Sequence, residues 1–98
     1  MMRTVALTAA LLCAAHGVAA QDGHKLASAC AICHGTQGKP APGAPLIPLA
    51  GLPRDHIATQ MRAFRDGSRP ATVMHQIAKG YTDAEIEAIA AWFATQPR

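Results

Sequence analysis

Cys30-Ala31-Ile32-Cys33-His34 forms a C-x-x-C-H pattern near the start of the chain. Two thiols three positions apart can add to the two vinyl groups on one edge of a haem, and the adjacent imidazole then lies beneath the iron. The pattern therefore predicts one covalently attached haem c. Cys30 and Cys33 would form the thioether bonds, and His34 would be an axial ligand of the iron.

Three other interpretations of this motif explain the chain less well. A thioredoxin-like dithiol needs a βαβ context, and the sequence has no convincing strand. A zinc site wants four ligands and would have to recruit His24, His56 or His75 without the usual spacing. A structural disulfide across two intervening residues would be unusual, and it would leave His34 without a role.

The first 20 residues predict a secretory signal peptide. Arg3 supplies a positive charge before an apolar run over residues 5–15, and residues 18–20 are the small Val-Ala-Ala that a signal peptidase accepts. The apolar run is too short to cross a bilayer. We expect removal of residues 1–20, which leaves residues 21–98 as one haem-binding domain in the periplasm, with no membrane span.

The size and charge of the mature part fit a domain that is built around a cofactor. Removal of 20 residues from a chain of 98 leaves 78, a size at which a hydrophobic core alone is marginal. The mature part carries eight Lys and Arg against six Asp and Glu, a net charge of +2. Two ionised haem propionates would bring this charge near zero, so the basic balance does not imply a nucleic-acid partner.

Two helices are predicted at the ends of the mature chain. The first runs from Asp22 to about Ala31 and carries the cysteines, with Gly23 placed where another helix can cross closely. The last opens at the capping box Thr82-Asp83-Ala84-Glu85 and runs to about Thr95. We expect these two helices to cross near Gly23, with Trp92 at the crossing or at the edge of the haem pocket.

A third helix is predicted between Pro53 and Gly67. Ile57, Met61 and Phe64 are spaced 4 and 3 apart and form its core face. The charged residues of this helix and of the last one are expected to be solvated rather than functional, and they are Arg54, His56, Arg62, Arg65, Asp83, Glu85 and Glu87.

Residues 35–51 hold four prolines and predict a loop that wraps the haem edge below His34. A loop carbonyl would accept a hydrogen bond from the second imidazole nitrogen and so strengthen the ligand. The carbonyl of Pro45 is the first candidate and that of Pro48 the second.

The second axial ligand is expected in the segment after Pro70. The residues that could bind iron there or nearby are Met61, Met74, His75, His56 and His24. Met74 is preferred because it follows an extended, proline-broken segment, from which its side chain can project out of a loop onto the iron. Met61 already has a place in a core stripe, while His75 or an open position stays as an alternative.

The chain resembles the small bacterial class I cytochromes c over nearly all of residues 23–95. The resemblance lies in the CAICHG start, the proline-rich loop ending in Pro-Leu-Ala-Gly, the Phe-Arg-Asp-Gly-Ser-Arg run of residues 64–69, and the ending TDAEIEAIAAWF. Residues 74–81, MHQIAKGY, look similar to the haem subunit of flavocytochrome c sulfide dehydrogenase. The resemblance implies an all-α class I fold of three to five short helices around one haem.

It also implies that Cys30 and Cys33 form thioethers, that His34 is the proximal ligand and that Met74 is the distal one. The predicted function is that of a periplasmic single-haem electron carrier without catalytic activity, which passes single electrons through an exposed haem edge. An alternative is the cytochrome subunit of a larger oxidoreductase such as sulfide or sulfite dehydrogenase, with a flavoprotein or molybdoprotein partner. The protein would be a monomer or part of a heterodimer. A ligand-binding or peroxidatic haem protein with a labile Met74 is a third hypothesis.

Overall fold

Helices account for all the regular structure of residues 22–98, which are the residues that the computed structural model describes. The elements in chain order are α1 (22–27), a 3₁₀ turn (Ser28–Cys30), α2 (Ala31–His34), a second 3₁₀ turn (Thr36–Gly38), α3 (Arg54–Asp66), α4 (Met74–Ala78) and α5 (Asp83–Ala94). The all-α prediction is confirmed. The predicted signal peptide and its cleavage site lie outside the described residues.

The core lies between α3 and α5. Phe93, Ile86 and Ile89 are the largest fully buried side chains, and all three belong to α5. They form one cluster with buried residues of the other helices, namely Ala27, Ile57, Ala58, Met61, Ala78 and Ala90. Met61 is only 7% exposed, which confirms the prediction that it is a core residue. Removal of these apolar side chains from water stabilises the fold.

The ends of α3 and α5 follow the local sequence signals. Thr82 Oγ1 accepts a hydrogen bond from the Glu85 N–H at 3.2 Å, and the Glu85 carboxylate accepts one from the Thr82 N–H at 2.9 Å. This reciprocal pair is the predicted capping box. The helix α3 stops at Gly67, whose left-handed φ of 86° allows the chain to turn away.

The crossing of the first and last helices is also confirmed. A Cβ atom on Gly23 would lie 2.7 Å from the carbonyl oxygen of Ala88 in α5, so only a glycine permits this approach. One residue further along α1, the His24 ring stacks on Trp92, with ring centroids 5.1 Å apart. The tight crossing of α1 and α5 therefore holds the N-terminal helix, and with it the cysteine motif, against the core.

The charged faces of α3 and α5 are largely exposed, as expected, with Arg54 at 58% and Asp83 at 69% side-chain exposure, and they also form ion pairs between the two helices that the sequence did not predict. Glu87 accepts from Arg62 at 2.6 Å and from Arg54 at 2.9 Å. Asp83 pairs with Arg65 and lies 3.5 Å from Arg62. The two helices pack side by side, which brings the basic edge of α3 against the acidic first turns of α5, and the partners lower the pKa values of Asp83 and Glu87.

Candidate functional site

The two cysteines of the motif lie on a nearly continuous helical path from residue 22 to His34. Cys30 is half-buried and packs against the core cluster, whereas Cys33 is exposed, and both are free thiols. Burial, and to a smaller extent the charge of Cys33, raise the pKa of the Cys30 thiol. Reactive redox dithiols show the opposite shift, so this environment disfavours the thioredoxin-like alternative.

His34 ends α2, and the chain reverses at the next residue. Gly35 has a φ of 84°, and a Cβ atom there would lie 2.0 Å from the carbonyl oxygen of Lys39. No other residue type fits this position without a change of the backbone. The glycine therefore lets the loop fold back beneath the His34 ring.

The second ring nitrogen of His34 has a backbone partner, although neither proline provides it. His34 Nδ1 lies 2.8 Å from the carbonyl oxygen of Ile47. Because a carbonyl only accepts, Nδ1 carries the proton, and the Nε2 lone pair is left free for a metal. The expectation of Pro45 or Pro48 as the acceptor is wrong, because the acceptor is Ile47, the residue just before Pro48. Pro48 restricts the backbone of Ile47 and so helps to fix that carbonyl.

The loop that carries Ile47 is tied down on both sides. The N–H groups of Leu49 and Ala50 donate to the carbonyl of Gly38, at 2.8 Å and 3.2 Å. The N–H of Gly51 donates to the carbonyl of Phe93 at 2.9 Å, which links the loop to the end of α5. The position of the His34 ring is thus set by the core rather than by a free loop.

Met74 is the first residue of α4. The sequence had led us to expect it in a loop, and that expectation is wrong. The carbonyl of Val73 accepts hydrogen bonds from the N–H groups of Gln76 and Ile77, at 3.0 Å and 3.1 Å, which starts the helix at Met74. Its side chain is half-buried against the core cluster. His75 follows on the same turn and is also half-buried, so both remain candidates for the distal position.

The cysteine motif and the segment after α4 approach the same part of the core. Cys30, Met74 and Tyr81 all pack against the one buried cluster. Burial raises the pKa of Tyr81, and the charges of Cys30 and Glu85 raise it further, which places the phenol near Cys30. Two of the predicted haem-binding elements are therefore held by a shared set of buried side chains.

Several large apolar side chains close in sequence to the predicted ligands, or to the His34 partner, are exposed. Among residues 22–98 they are Ile32, Leu46, Ile47, Val73 and Ile77. Ile32 lies between the cysteines and is 87% exposed, the two loop residues lie at or beside the His34 partner, and Val73 and Ile77 flank Met74. Exposed apolar side chains of this size are typical of a surface that a bound apolar group or a partner covers.

The donor set fits haem rather than a simple metal ion. Within the described part of the chain, no group of three or more His, Cys, Asp or Glu residues is placed to hold a metal, which argues against the zinc alternative. Two free thiols, one imidazole with its Nε2 available and one thioether are the groups that hold a c-type haem. Sequence reasoning missed Ile47, and the signal that could have found it is its place just before Pro48.

Comparison with known proteins agrees with this geometry. The family model described as "Cytochrome C oxidase, cbb3-type, subunit III" matches residues 18–93. The cytochrome subunit of sulfide dehydrogenase from Chlorobaculum tepidum is 44% identical over 71 residues, which cover 72% of this chain and 63% of that protein. The thiosulfate dehydrogenase electron acceptor from Thiomonas intermedia is 40% identical over 68 residues, 69% of this chain and 31% of that protein.

A shorter relative is also similar. Cytochrome c-554(548) from Halomonas halodenitrificans is 37% identical over 71 residues, which cover 68% of this chain and 83% of that protein. By contrast, the chain spans only about a third to two thirds of the length of the two dehydrogenase-related proteins.

Proposed function

This chain belongs to the cbb3-type cytochrome c family, and on that premise we propose that it is a single-haem electron carrier. The proteins that it resembles are described as cytochromes, a cytochrome subunit and an electron acceptor. Haem c supplies a single iron that takes up and gives back one electron. The polypeptide would act by holding, orienting and insulating that iron, without substrate chemistry of its own.

We assign the holding roles to four residues. Addition of the Cys30 and Cys33 S–H groups across two vinyl groups would give two thioether bonds. His34 would bind the iron through Nε2, and Met74 would bind it through its sulfur. With both side chains bound, the iron would have no open position for oxygen or peroxide.

The observation that carries this proposal is the hydrogen bond between His34 Nδ1 and the carbonyl of Ile47. It selects the tautomer that a metal ligand needs and makes the imidazole a stronger donor. His34 directly follows Cys33, and the two free cysteines, Cys30 and Cys33, have the spacing that fits the two vinyl groups on one edge of a haem. A histidine with only a structural role in this position would not need its Nε2 to be kept available.

A redox titration of the purified holoprotein tests the proposal. We expect one reversible one-electron transition and a reduced spectrum of low-spin iron that does not change on addition of carbon monoxide. A high-spin reduced form that binds carbon monoxide would contradict the assignment of Met74. It would support the ligand-binding alternative, and peroxidase turnover by the native protein would support the peroxidatic one.

A second candidate function is that of the cytochrome subunit of a dehydrogenase. It is favoured by the similarity to the sulfide dehydrogenase subunit of C. tepidum. A flavoprotein or a molybdoprotein would then deliver electrons to the haem. Purification of a stable heterodimer at near-stoichiometric amounts would support the subunit, whereas a clean monomer would support the free carrier.

We also propose that the protein works in the periplasm as residues 21–98, after removal of residues 1–20. The basic and apolar start of the chain supports this location. In residues 22–98, no helix has the length and apolar character that a membrane crossing requires. Intact mass of the protein recovered from a periplasmic extract tests the cleavage, and retention of residues 1–20 would contradict it.

A further inference from the structure

Arg69 lies on the segment that leads from α3 to Met74, and contacts with α3 hold its side chain in place. Its guanidinium carbon lies 4.7 Å from the centroid of the Phe64 ring, and its Nη1 donates to Oε1 of Gln60. The Arg69 backbone N–H donates to the carbonyl of Ala63 at 3.1 Å. The side chain is therefore half-buried and oriented, unlike a freely moving surface arginine.

Within residues 22–98, the Arg69 guanidinium forms no ion pair with a carboxylate. The other half-buried arginines, Arg62 and Arg65, both form ion pairs with acidic residues of α5. Apart from Arg69, the Lys and Arg side chains of residues 22–98 that form no ion pair are exposed. They are Lys25, Lys39, Lys79 and Arg98.

Asp66 is the acid nearest to Arg69 in sequence, but its Oδ1 accepts from the Ser68 N–H at 2.8 Å. A partly desolvated charge without a counterion is costly, so the site indicates that an anion belongs there.

We propose that Arg69 binds a propionate carboxylate of the haem. This inference rests on the proposed function, since it requires the haem to be present. A propionate is the anion that the cofactor itself brings, and Arg69 lies five residues before Met74, the proposed distal ligand. A guanidinium plane that is fixed by an aromatic ring and by an amide oxygen can present two parallel N–H groups to one carboxylate.

The pairing has a direct consequence for the iron. An unpaired propionate places negative charge near the iron and favours its oxidised form. The Arg69 guanidinium offsets that charge, so it favours the reduced form. Loss of the guanidinium should therefore lower the reduction potential, and Arg69 is a positioning residue for the cofactor rather than an iron ligand.

Reduction potentials of Arg69→Gln and Lys79→Gln holoprotein test the proposal. Both variants remove one positive charge at five residues from Met74, but Lys79 is exposed and without a partner in the described chain. We expect Arg69→Gln to lower the equilibrium constant for reduction by about threefold or more at pH 7, where a tenfold change corresponds to 59 mV for one electron. Lys79→Gln should change it less, and Arg69→Lys should restore most of the loss. Equal shifts in the two Gln variants would overturn the proposal.

A measurement on the wild-type protein covers the case in which Arg69→Gln does not fold. The Nε–H proton of Arg69 should exchange slowly with water and should shift between the oxidised and reduced forms more than that of Arg98, which is exposed. Similar behaviour of the two arginines would overturn the proposal. The wild-type spectrum separates failure of the proposed function from failure of the Arg69 assignment. If covalent haem is absent, the proposed function fails. If covalent haem is present but the reduction potentials and the Arg69 proton behave as the overturning results describe, only the Arg69 assignment fails.

Discussion

Replacement of Gly23 by alanine tests the helix crossing on which the placement of the cysteine motif depends. The new Cβ would lie 2.7 Å from the Ala88 carbonyl oxygen and 3.4 Å from Trp92 Cβ. The first of these is a backbone atom, which cannot rotate away. Overpacking of this kind costs about 1–3 kcal/mol, whereas alanine gains at most about 1 kcal/mol of helix propensity over glycine. The gain is smaller near a helix end, so we expect a net loss of about 1 kcal/mol or more.

Guanidinium chloride unfolding of the oxidised holoprotein, followed by far-ultraviolet circular dichroism, measures this change. In a thermal experiment the same loss should lower Tm by about 4–8 °C per kcal/mol for a domain of this size. Gly80→Ala is the matched control, because its Cβ would lie at an ordinary 3.4 Å from the Ile77 carbonyl oxygen. That control should stay within about 0.5 kcal/mol of wild type. A Gly23→Ala protein as stable as wild type would refute the tight crossing of α1 and α5.

Two further predictions concern the iron ligand and the ion pairs. Met74→Ala should keep the covalent haem but lose the near-infrared sulfur-to-iron band and lower the reduction potential. Met61→Leu changes a core residue and should keep the band and the wild-type potential. Loss of the band in Met61→Leu alone would reverse the assignment. Hydrogen bonds from Arg62, and then from Arg54, lower the pKa of Glu87. Its contribution to stability is therefore complete above the pKa that it has in the unfolded chain and is lost as pH falls through the lower folded-state value. Arg62→Gln should accordingly flatten the fall in unfolding free energy between about pH 5 and 2, and an unchanged acid limb would show that the pair contributes nothing.

Local signals in the sequence were sufficient to predict α3 and α5. The Thr82 to Glu85 capping box needs only residues within one turn, and Gly67 ends α3 through its own backbone freedom. The core role of Met61 follows from its spacing to Ile57 on one helix face. In each case the interaction that decides the structure lies within a few residues along the chain.

Features that depend on how distant elements pack were not accessible in this way. The ion pair of Arg62 with Glu87 joins two helices, and each face looks solvated until their relative position is known. The acceptor of His34 is a backbone carbonyl, which every residue has, so the only local signal for Ile47 is its place just before Pro48. The half-burial of Arg69 likewise depends on its contacts with α3 and not on its own neighbours in sequence.

Intact mass spectrometry of the denatured, acid-extracted protein tests the central claim most directly, because only a covalent bond keeps haem on an unfolded chain. We predict the mass of the polypeptide plus one haem, with the pigment left in the protein fraction rather than in the organic solvent. The Cys30→Ala, Cys33→Ala double variant should lose the added mass, whereas Cys13→Ala should keep it, because Cys13 lies in the predicted signal peptide. Recovery of wild-type protein at the bare polypeptide mass, or release of all the pigment into the solvent, would contradict the account.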